Sequence, residues 1–333
     1  MRPTRRGYVV LGVAIAAIAL AAHSGPRSLN AVAGPALVTL AYGVVSLARR
    51  PDPTVSRGKP APGFPGETRT IPLTVQASGP ATVRDRTGSG VAPVDDAERY
   101  VSGDGKTSYE IELLARGEHD LGPTEIVQRD TLGVVARETV ARTTTPALVY
   151  PVVEPIAPNR TFQGLVERAG SADRDAFDTL REYVPGDPLR DVHWTSSAKR
   201  EAGDLVVAEF AREDEGGLTL VAEGDTGYAD EMASAAASIA VHLLAMDLEV
   251  EVYAPDGHVR KGRGDQHRDE LLELLARTPA GRVGDVAADV RIRADAEGVH
   301  VTANGSTFPF AELLGGGYES ADARDATTAE VSV

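Results

Sequence analysis

Two hydrophobic periods follow one another in LTLVAEGDTGYADEMASAAASIAVHLLAMDLEVEVY, residues 218–253. Both ends are short apolar runs of the kind that form buried strands. In the middle, Met232, Ala236 and Ile239 recur at the spacing of one helix face, which predicts a helix over residues 228–246. A strand, a helix and a second strand in this order predict a parallel pair joined by a helical crossover, which is the unit of an α/β domain.

The same alternation continues towards the C-terminus. Residues 269–276 carry leucines at helical spacing, and apolar runs near residues 290–292 and 299–301 predict two further strands. We therefore predict an α/β domain with a mainly parallel sheet over residues 151–314. Residues 315–333 are acidic and rich in Gly, Ser, Thr and Ala, so we expect a disordered tail there.

Charged and aromatic side chains are dense in residues 180–194, which read LREYVPGDPLRDVHW. Pro185 and Gly186 suit the centre of a type II turn, and Asp187 suits the cap of a following helix. Arginine can pair with both oxygens of a carboxylate, so the cluster is either a buried network that holds a loop in place, which we favour, or a docking surface for a partner. The residues on which both interpretations rest are Arg181, Glu182, Tyr183, Gly186, Asp187, Arg190 and Trp194.

The region from residue 67 to residue 150 reads as short strands separated by Gly, Asp and Pro turns. One face of a predicted strand would carry Tyr109, Ile111 and Leu113, and the other face would carry the glutamates between them. This alternation is typical of a strand with one solvent-exposed face. Several such strands predict a β-sandwich. Residues 51–66 are rich in Pro and Gly and are predicted to be a semi-extended linker.

Two uncharged runs occupy most of residues 1–50, one between Arg6 and Arg27 and one between Arg27 and Arg49. Each approaches the ~20 residues that a helix needs to cross a bilayer. Gly25 and Pro26 interrupt the helical pattern between the runs. These features predict a transmembrane hairpin, and therefore a multi-pass protein of the cell membrane.

Positive charge is concentrated at the two ends of the hairpin, at residues 2–6 and 49–50, whereas Arg27 alone lies in the turn. By the positive-inside rule, both ends and the soluble domains that follow face the cytoplasm. The alternative is that the first run is a cleaved signal peptide, since Ala21, Ala22 and Ser24 suit a cleavage site. The second run would then enter from outside, and the domains would still be cytoplasmic.

Three segments carry a resemblance to a known family. Residues 181–194, the segment RGEHDLGP at 116–123 and the segment RDTLG at 129–133 resemble the domain-of-unknown-function 58 family. The resemblance implies an α+β multidomain protein with an N-terminal two-helix transmembrane hairpin, a β-sandwich and an α/β von Willebrand A-like domain. It also implies a scaffold or adaptor whose partner is a MoxR-type AAA+ ATPase, because the genes of such proteins commonly lie beside genes for these ATPases.

A von Willebrand A-like domain often holds a divalent metal after its first strand, through an Asp-x-Ser-x-Ser run. This chain has EGDTG at residues 223–227, without the serines. Asp225 and Thr226 are weak candidate ligands for Mg²⁺, since carboxylate and hydroxyl oxygens suit that ion. The alternative, which we favour, is that Asp225 or Thr226 caps the helix that begins near Tyr228. We predict no confident metal site and no other cofactor.

Composition excludes several classes of function. The chain has 34 basic and 49 acidic residues, a net charge of −15, so nucleic acid is a poor candidate partner. It has no cysteine, which excludes disulfides and thiol chemistry. The only lysines are Lys59, Lys106, Lys199 and Lys261, and excess carboxylate with scarce lysine is typical of a halophilic, acidic surface.

Residues near the tryptophan include the types found in a hydrolytic triad. His193 lies close to Asp191, Ser196 and Ser197, but no Gly-x-Ser-x-Gly elbow supports a serine nucleophile. We therefore predict a protein that is not an enzyme and that acts by contact. Two alternatives stay open: a metal-dependent or serine hydrolase that uses Asp225 or His193, and a structural protein of the cell envelope.

Overall fold

The computed structural model describes residues 1–24, 30–95, 98–157, 164, 180–182, 206–208 and 217–314. The chain divides into two compact units, Met1–Tyr150 and Pro151–Val333. The predicted tail at residues 315–333 lies outside the described residues.

The first unit begins with two helices that pack against each other, α1 (Arg5–Ser24) and α2 (Asn30–Ala48). Each is long and apolar enough to cross a membrane. Val9, Ile15 and Val38 are 66%, 59% and 67% exposed. A core helix of a soluble protein would bury such side chains, so this exposed surface is suited to lipid. The predicted pair of apolar N-terminal helices is confirmed.

Short strands form the rest of the first unit. In its described part they are β1 (Arg2–Pro3), β2 (Thr54–Arg57), β3 (Thr68–Gln76), β4 (Pro80–Thr87), β5 (Val91–Pro93), β6 (Glu98–Ser102), β7 (Gly105–Leu113), β8 (Gly117–Arg129), β9 (Val135–Ala141) and β10 (Thr145–Val149). One antiparallel sheet has the order β1-β9-β8-β4-β6, with β10 also paired to β8. The other has the order β2-β3-β7-β5.

The two sheets pack face to face and share a core, as in a β-sandwich. Tyr109, Ile111 and Leu113 of β7 are 2%, 0% and 1% exposed, and the glutamates between them are exposed. Leu121 of β8 and Val149 of β10 contribute to the same cluster from the opposite sheet. The predicted alternation of β7 is therefore confirmed.

Residues 51–66, which we predicted to be a linker, contribute a strand to the sandwich. Thr54–Arg57 form β2 at the edge of the second sheet, and Gly63 forms a bridge with Val149. The prolines of this segment flank β2 and are absent from it. Proline excludes a central strand but is tolerated beside an edge strand, where one row of backbone groups needs no partner.

The strands in the described part of the second unit are β11 (Leu180–Glu182), β12 (Val206–Ala208), β13 (Gly217–Gly224), β14 (Glu249–Ala254), β15 (Gly257–Gly262), β16 (Val290–Asp295), β17 (Gly298–Ala303) and β18 (Ser306–Pro309). Its main sheet has the order β15-β14-β13-β16-β17-β18. Strand β13 runs parallel to β14 and β16, and the other neighbours are antiparallel. The strands β11 and β12 form a separate antiparallel pair.

The prediction of a mainly parallel sheet is wrong for the described strands. Tight turns join β14 to β15, β16 to β17 and β17 to β18, and such turns connect only antiparallel neighbours. Between β17 and β18, Asn304 and Gly305 both have positive φ, as a two-residue hairpin turn requires. The sheet is therefore mixed, with a parallel centre and antiparallel edges.

Two helices cover part of this sheet. Helix α3 (Ala229–Ala245) connects β13 to β14, and helix α4 (Asp265–Arg277) precedes β16 and packs against α3. Met232, Ala236 and Ile239 of α3 are fully buried, which confirms the helix face predicted from their spacing.

Candidate membrane-docking site

The hairpin meets the sandwich at a turn between β8 and β9, residues 130–134, which we name the docking turn. Asp130 is 2% exposed, and its carboxylate accepts hydrogen bonds from the backbone N–H groups of Leu132 (3.0 Å) and Val135 (2.7 Å). Its own N–H donates to the Val135 carbonyl. Because charged hydrogen bonds to backbone amides are strong, Asp130 fixes the shape of the turn.

Thr4 joins the start of α1 to the docking turn. Its hydroxyl donates to the Gly133 carbonyl at 2.6 Å, and its N–H donates to the Val134 carbonyl at 2.9 Å. The same hydroxyl accepts a hydrogen bond from the Gly7 N–H at 3.2 Å, which caps the helix. One side chain thus both begins α1 and attaches it to the sandwich.

Apolar contacts attach α2 to the same turn. Leu47 is fully buried and forms a cluster with Val134 and Val135, each 4% exposed. A Cβ at Gly43 would lie 3.1 Å from both valine side chains, and one at Gly7 of α1 would lie 2.0 Å from the Val134 carbonyl oxygen. Both glycines therefore permit a close approach that a larger residue would prevent.

Arginines attach the chain segment that follows α2 to the sandwich. The Arg50 guanidinium donates to the Arg129 carbonyl at 3.0 Å. Arg137 of β9 donates to the Arg50 carbonyl at 3.1 Å and forms an ion pair with Asp52. Both ends of the hairpin are therefore bonded to the sandwich.

A buried ion pair crosses between the two sheets of the sandwich. Arg57 of β2 and Asp85 of β4 have side chains that are 2% and 0% exposed, and the guanidinium donates to both carboxylate oxygens, at 2.8 and 2.6 Å. Thr124 of β8 also donates to Asp85, at 2.7 Å. Both oxygens of the carboxylate are used, and the pair links the two sheets at a fixed point.

Tyr109 completes this network. Its hydroxyl donates to Asp85 at 2.5 Å from the facing sheet. Burial, and then the hydrogen bond to the Asp85 carboxylate, raise the pKa of the Tyr109 hydroxyl well above its ordinary value of 10.0. The network is therefore suited to a structural role at neutral pH, with Tyr109 fully protonated.

Asp225 and Thr226 follow β13 as predicted, but neither caps the helix. The N-cap residue of α3 is Tyr228, without a side-chain hydrogen bond, so the capping prediction is wrong. Asp225 instead accepts a hydrogen bond from the Arg282 guanidinium at 2.7 Å, and Thr226 is exposed. Asp230 in the first turn of α3 supplies the negative charge that a helix N-terminus favours.

Residues 281–283 cover the carboxyl end of β13. The backbones of Gly224 and Gly281 exchange two hydrogen bonds, of 3.0 and 2.8 Å. Glu223, 7% exposed, accepts from the Val283 N–H at 3.1 Å and pairs with Arg291 at 3.3 Å. Arginine guanidinium groups thus pair with both carboxylates, Glu223 and Asp225, at the position where the family resemblance implies a divalent metal. Among the described residues, no three His, Asp or Glu side chains are grouped as metal ligands.

The predicted motif of residues 180–194 is described only at its start. Arg181 and Glu182 lie on β11, paired in register with Val207 and Val206 of β12. The remaining motif residues, and the candidate hydrolytic residues, lie outside the described part of the chain: Tyr183, Gly186, Asp187, Arg190, Trp194, His193, Asp191, Ser196 and Ser197. The choice between a buried network and a docking surface therefore stays open.

Sequence reasoning missed the residues that attach the hairpin. Gly7 and Gly43 lie inside apolar runs, and the runs alone do not distinguish them from Gly12, which has open space around it. In the sequence, Asp130 is marked only by its place in the RDTLG segment at 129–133. The available signal was a glycine near the basic end of a membrane span, together with an aspartate at the start of a turn.

No family model matches the chain, and no curated protein matches it. Among solved structures, WR4, an MSP family member from C. elegans, is 11% identical with a TM-score of 0.23, covering 28% of this chain and 96% of that one. The PKD domain of an M14-like peptidase from a Thermoplasmatales archaeon is 14% identical with a TM-score of 0.22, covering 30% of this chain and 94% of that one. Likenesses this low assign neither fold nor function.

Proposed function

We propose that this protein is a membrane-anchored, cytoplasm-facing scaffold or adaptor protein. The observation that carries the proposal is the attachment of both hairpin ends to the sandwich, through Thr4 and Gly7 at the start of α1 and through Leu47 on α2. A signal peptide that is removed would leave the Thr4 and Gly7 contacts unmade. Their close fit therefore supports a first span that is retained and holds the sandwich against the bilayer.

The arginines support the proposed orientation. Arg5 and Arg6 begin α1, and Arg49 and Arg50 follow α2, so both charged ends lie where the hairpin meets the sandwich. Because basic residues next to membrane spans are retained on the cytoplasmic side, these arginines support a sandwich on that side. The second unit follows it in the chain without a further candidate span among the described residues.

The second unit is the proposed partner-binding part, with a von Willebrand A-like domain as its proposed fold. The parallel centre of its sheet, β14-β13-β16, and the helix α3 packed on it support this assignment. The pairing of Asp225 with Arg282 favours contact over metal chemistry at the carboxyl end of β13. The family resemblance supports a MoxR-type AAA+ ATPase as the partner.

An affinity pull-down from detergent-solubilised membranes, with and without ATP, tests the adaptor role. The baits are the full-length chain, the Arg190→Ala variant and a matched Arg142→Ala control, which removes an exposed arginine of the first unit. We expect the wild type and the control to recover an AAA+ ATPase. Recovery of none under either condition would contradict the role and favour a structural protein of the envelope.

The Arg190→Ala bait distinguishes the two interpretations of the motif. A variant that keeps the wild-type melting temperature but loses the ATPase indicates a docking surface. A variant that loses the cooperative melting transition indicates a buried network.

A further inference from the structure

An open cleft lies where α1 starts against the docking turn. It has a volume of about 420 Å³, and it is lined by Thr4, Arg5, Arg6, Arg129 and Gly133. The hydrogen bonds from Thr4 to Gly133 and Val134 fix the start of α1 beside the docking turn, which follows the end of β8. The two elements thereby bring arginines that are far apart in sequence to one place.

The cleft carries strong positive charge. Neither Arg5 nor Arg6 has an ion-pair partner among the residues that the structure describes, and the lining there includes no carboxylate. The Arg129 guanidinium donates through Nη1 to the Thr82 hydroxyl at 3.1 Å, which orients the group and uses one of its five N–H donors. The neighbouring Asp130 carboxylate is buried and accepts hydrogen bonds from backbone amides, and it forms no ion pair with an arginine among the described residues.

The position of the cleft indicates the source of its ligand. Arg5 and Arg6 precede the exposed apolar surface of α1, which starts at Tyr8 and Val9, 61% and 66% exposed. Leu132, at the tip of the docking turn, is 49% exposed. If α1 spans the bilayer, charged residues at this point lie at the level of the lipid headgroups.

We propose that the cleft formed by Arg5, Arg6 and Arg129 binds the phosphodiester of an anionic phospholipid. Guanidinium groups bind phosphate oxygens in pairs, and three of them together disfavour a headgroup that also carries a quaternary ammonium. A protein of net charge −15 is repelled by an anionic membrane surface, so a local cationic cleft gives the docking turn a specific attachment there. This inference rests on the membrane anchoring proposed above.

The test is native mass spectrometry of the full-length protein in detergent with equal amounts of phosphatidylglycerol and phosphatidylcholine. We expect the wild type to retain phosphatidylglycerol in preference to phosphatidylcholine. Arg129→Gln and the double variant Arg5→Gln/Arg6→Gln should each weaken this retention about tenfold, since each removes a charged hydrogen bond to phosphate. Arg142→Gln, which makes the same charge change at an exposed residue outside the cleft, should retain the lipid like the wild type.

Three results would overturn the proposal. One is equal retention of the two lipids, and another is an equal loss in Arg142→Gln, which would indicate general charge attraction. The third is displacement of the lipid by equimolar inorganic phosphate, which would identify a free anion as the ligand. Flotation of the same variants with phosphatidylcholine vesicles tests the anchor separately, because failure to float contradicts membrane anchoring, whereas loss of selectivity in a protein that floats contradicts only the lipid site.

Discussion

Asp85 is the residue whose removal should damage the sandwich most. The Asp85→Ala substitution leaves the Arg57 guanidinium buried without its partner, and breaking such a pair costs about 3–5 kcal/mol. The matched control is its neighbour Arg86, whose pair with Glu125 is exposed, so that Arg86→Ala should cost below about 1 kcal/mol. Urea unfolding of the full chain in micelles measures both changes. Equal losses in the two variants would show that the Arg57 network is not buried as described.

Tyr109 should make the stability of the sandwich depend on alkaline pH. Because the pKa of its hydroxyl is raised in the folded state, the stabilisation is complete below the unfolded value of about 10 and is lost as the pH rises above it. At neutral pH, Tyr109→Phe should lower the free energy of unfolding by about 1–3 kcal/mol, the cost of an unmade buried hydrogen bond. The difference between wild type and variant should shrink in urea titrations above about pH 10, and a constant difference would contradict this account.

At the scale of the elements, the packing of α1 on the docking turn depends on a single glycine. Gly7→Ala would place a Cβ at 2.0 Å from a backbone oxygen, so the turn or the helix must move. Gly12→Ala, on the same helix, meets open space and should raise stability by up to about 1 kcal/mol through helix propensity. We expect the first variant to melt at a lower temperature than wild type in detergent and the second to melt at the same temperature or higher. Two variants that melt alike would contradict the docking of α1.

The sequence was sufficient to predict elements whose pattern reflects their own burial. The face of α3 at Met232 and Ile239 and the alternation of β7 at Tyr109 follow from one buried side, which periodicity reports directly. Strand β15 escaped prediction because it is an edge strand with both faces largely open, so HVRKG shows no alternation. Strand β2 escaped because flanking prolines suggested a linker.

The site was less predictable because its contacts join distant residues. Asp225 was a candidate ligand or cap by position, but its partner Arg282 is 57 residues away and no local pattern announces it. Arg57 and Asp85 lie on strands of different sheets, so their pairing needs the finished sandwich. Thr4 and Gly133 are 129 residues apart for the same reason. The local sequence pattern indicates which face of an element is buried. Only the assembled fold shows which charged residues form pairs.

The stability of the whole molecule should depend on the salt concentration. Its net charge of −15 produces self-repulsion that is screened over about 10 Å at 0.1 M salt but over about 3 Å at 1 M. We therefore expect a higher melting temperature in about 1 M than in about 0.1 M sodium chloride. Sucrose of equal osmolality is the control for solvent exclusion and should reproduce less of the gain. The highest stability at low salt would contradict a surface adapted to salt.

Both units are proposed to lie on the cytoplasmic side of the membrane. Single-cysteine labelling tests this placement most directly. The chain has no cysteine of its own, so His23→Cys at the end of α1 and Thr226→Cys after β13 each introduce one reactive thiol. With an impermeant maleimide on intact cells, we predict labelling of His23→Cys, and labelling of Thr226→Cys only after the cells are permeabilised. Labelling of Thr226→Cys in intact cells would place the second unit outside and contradict the account.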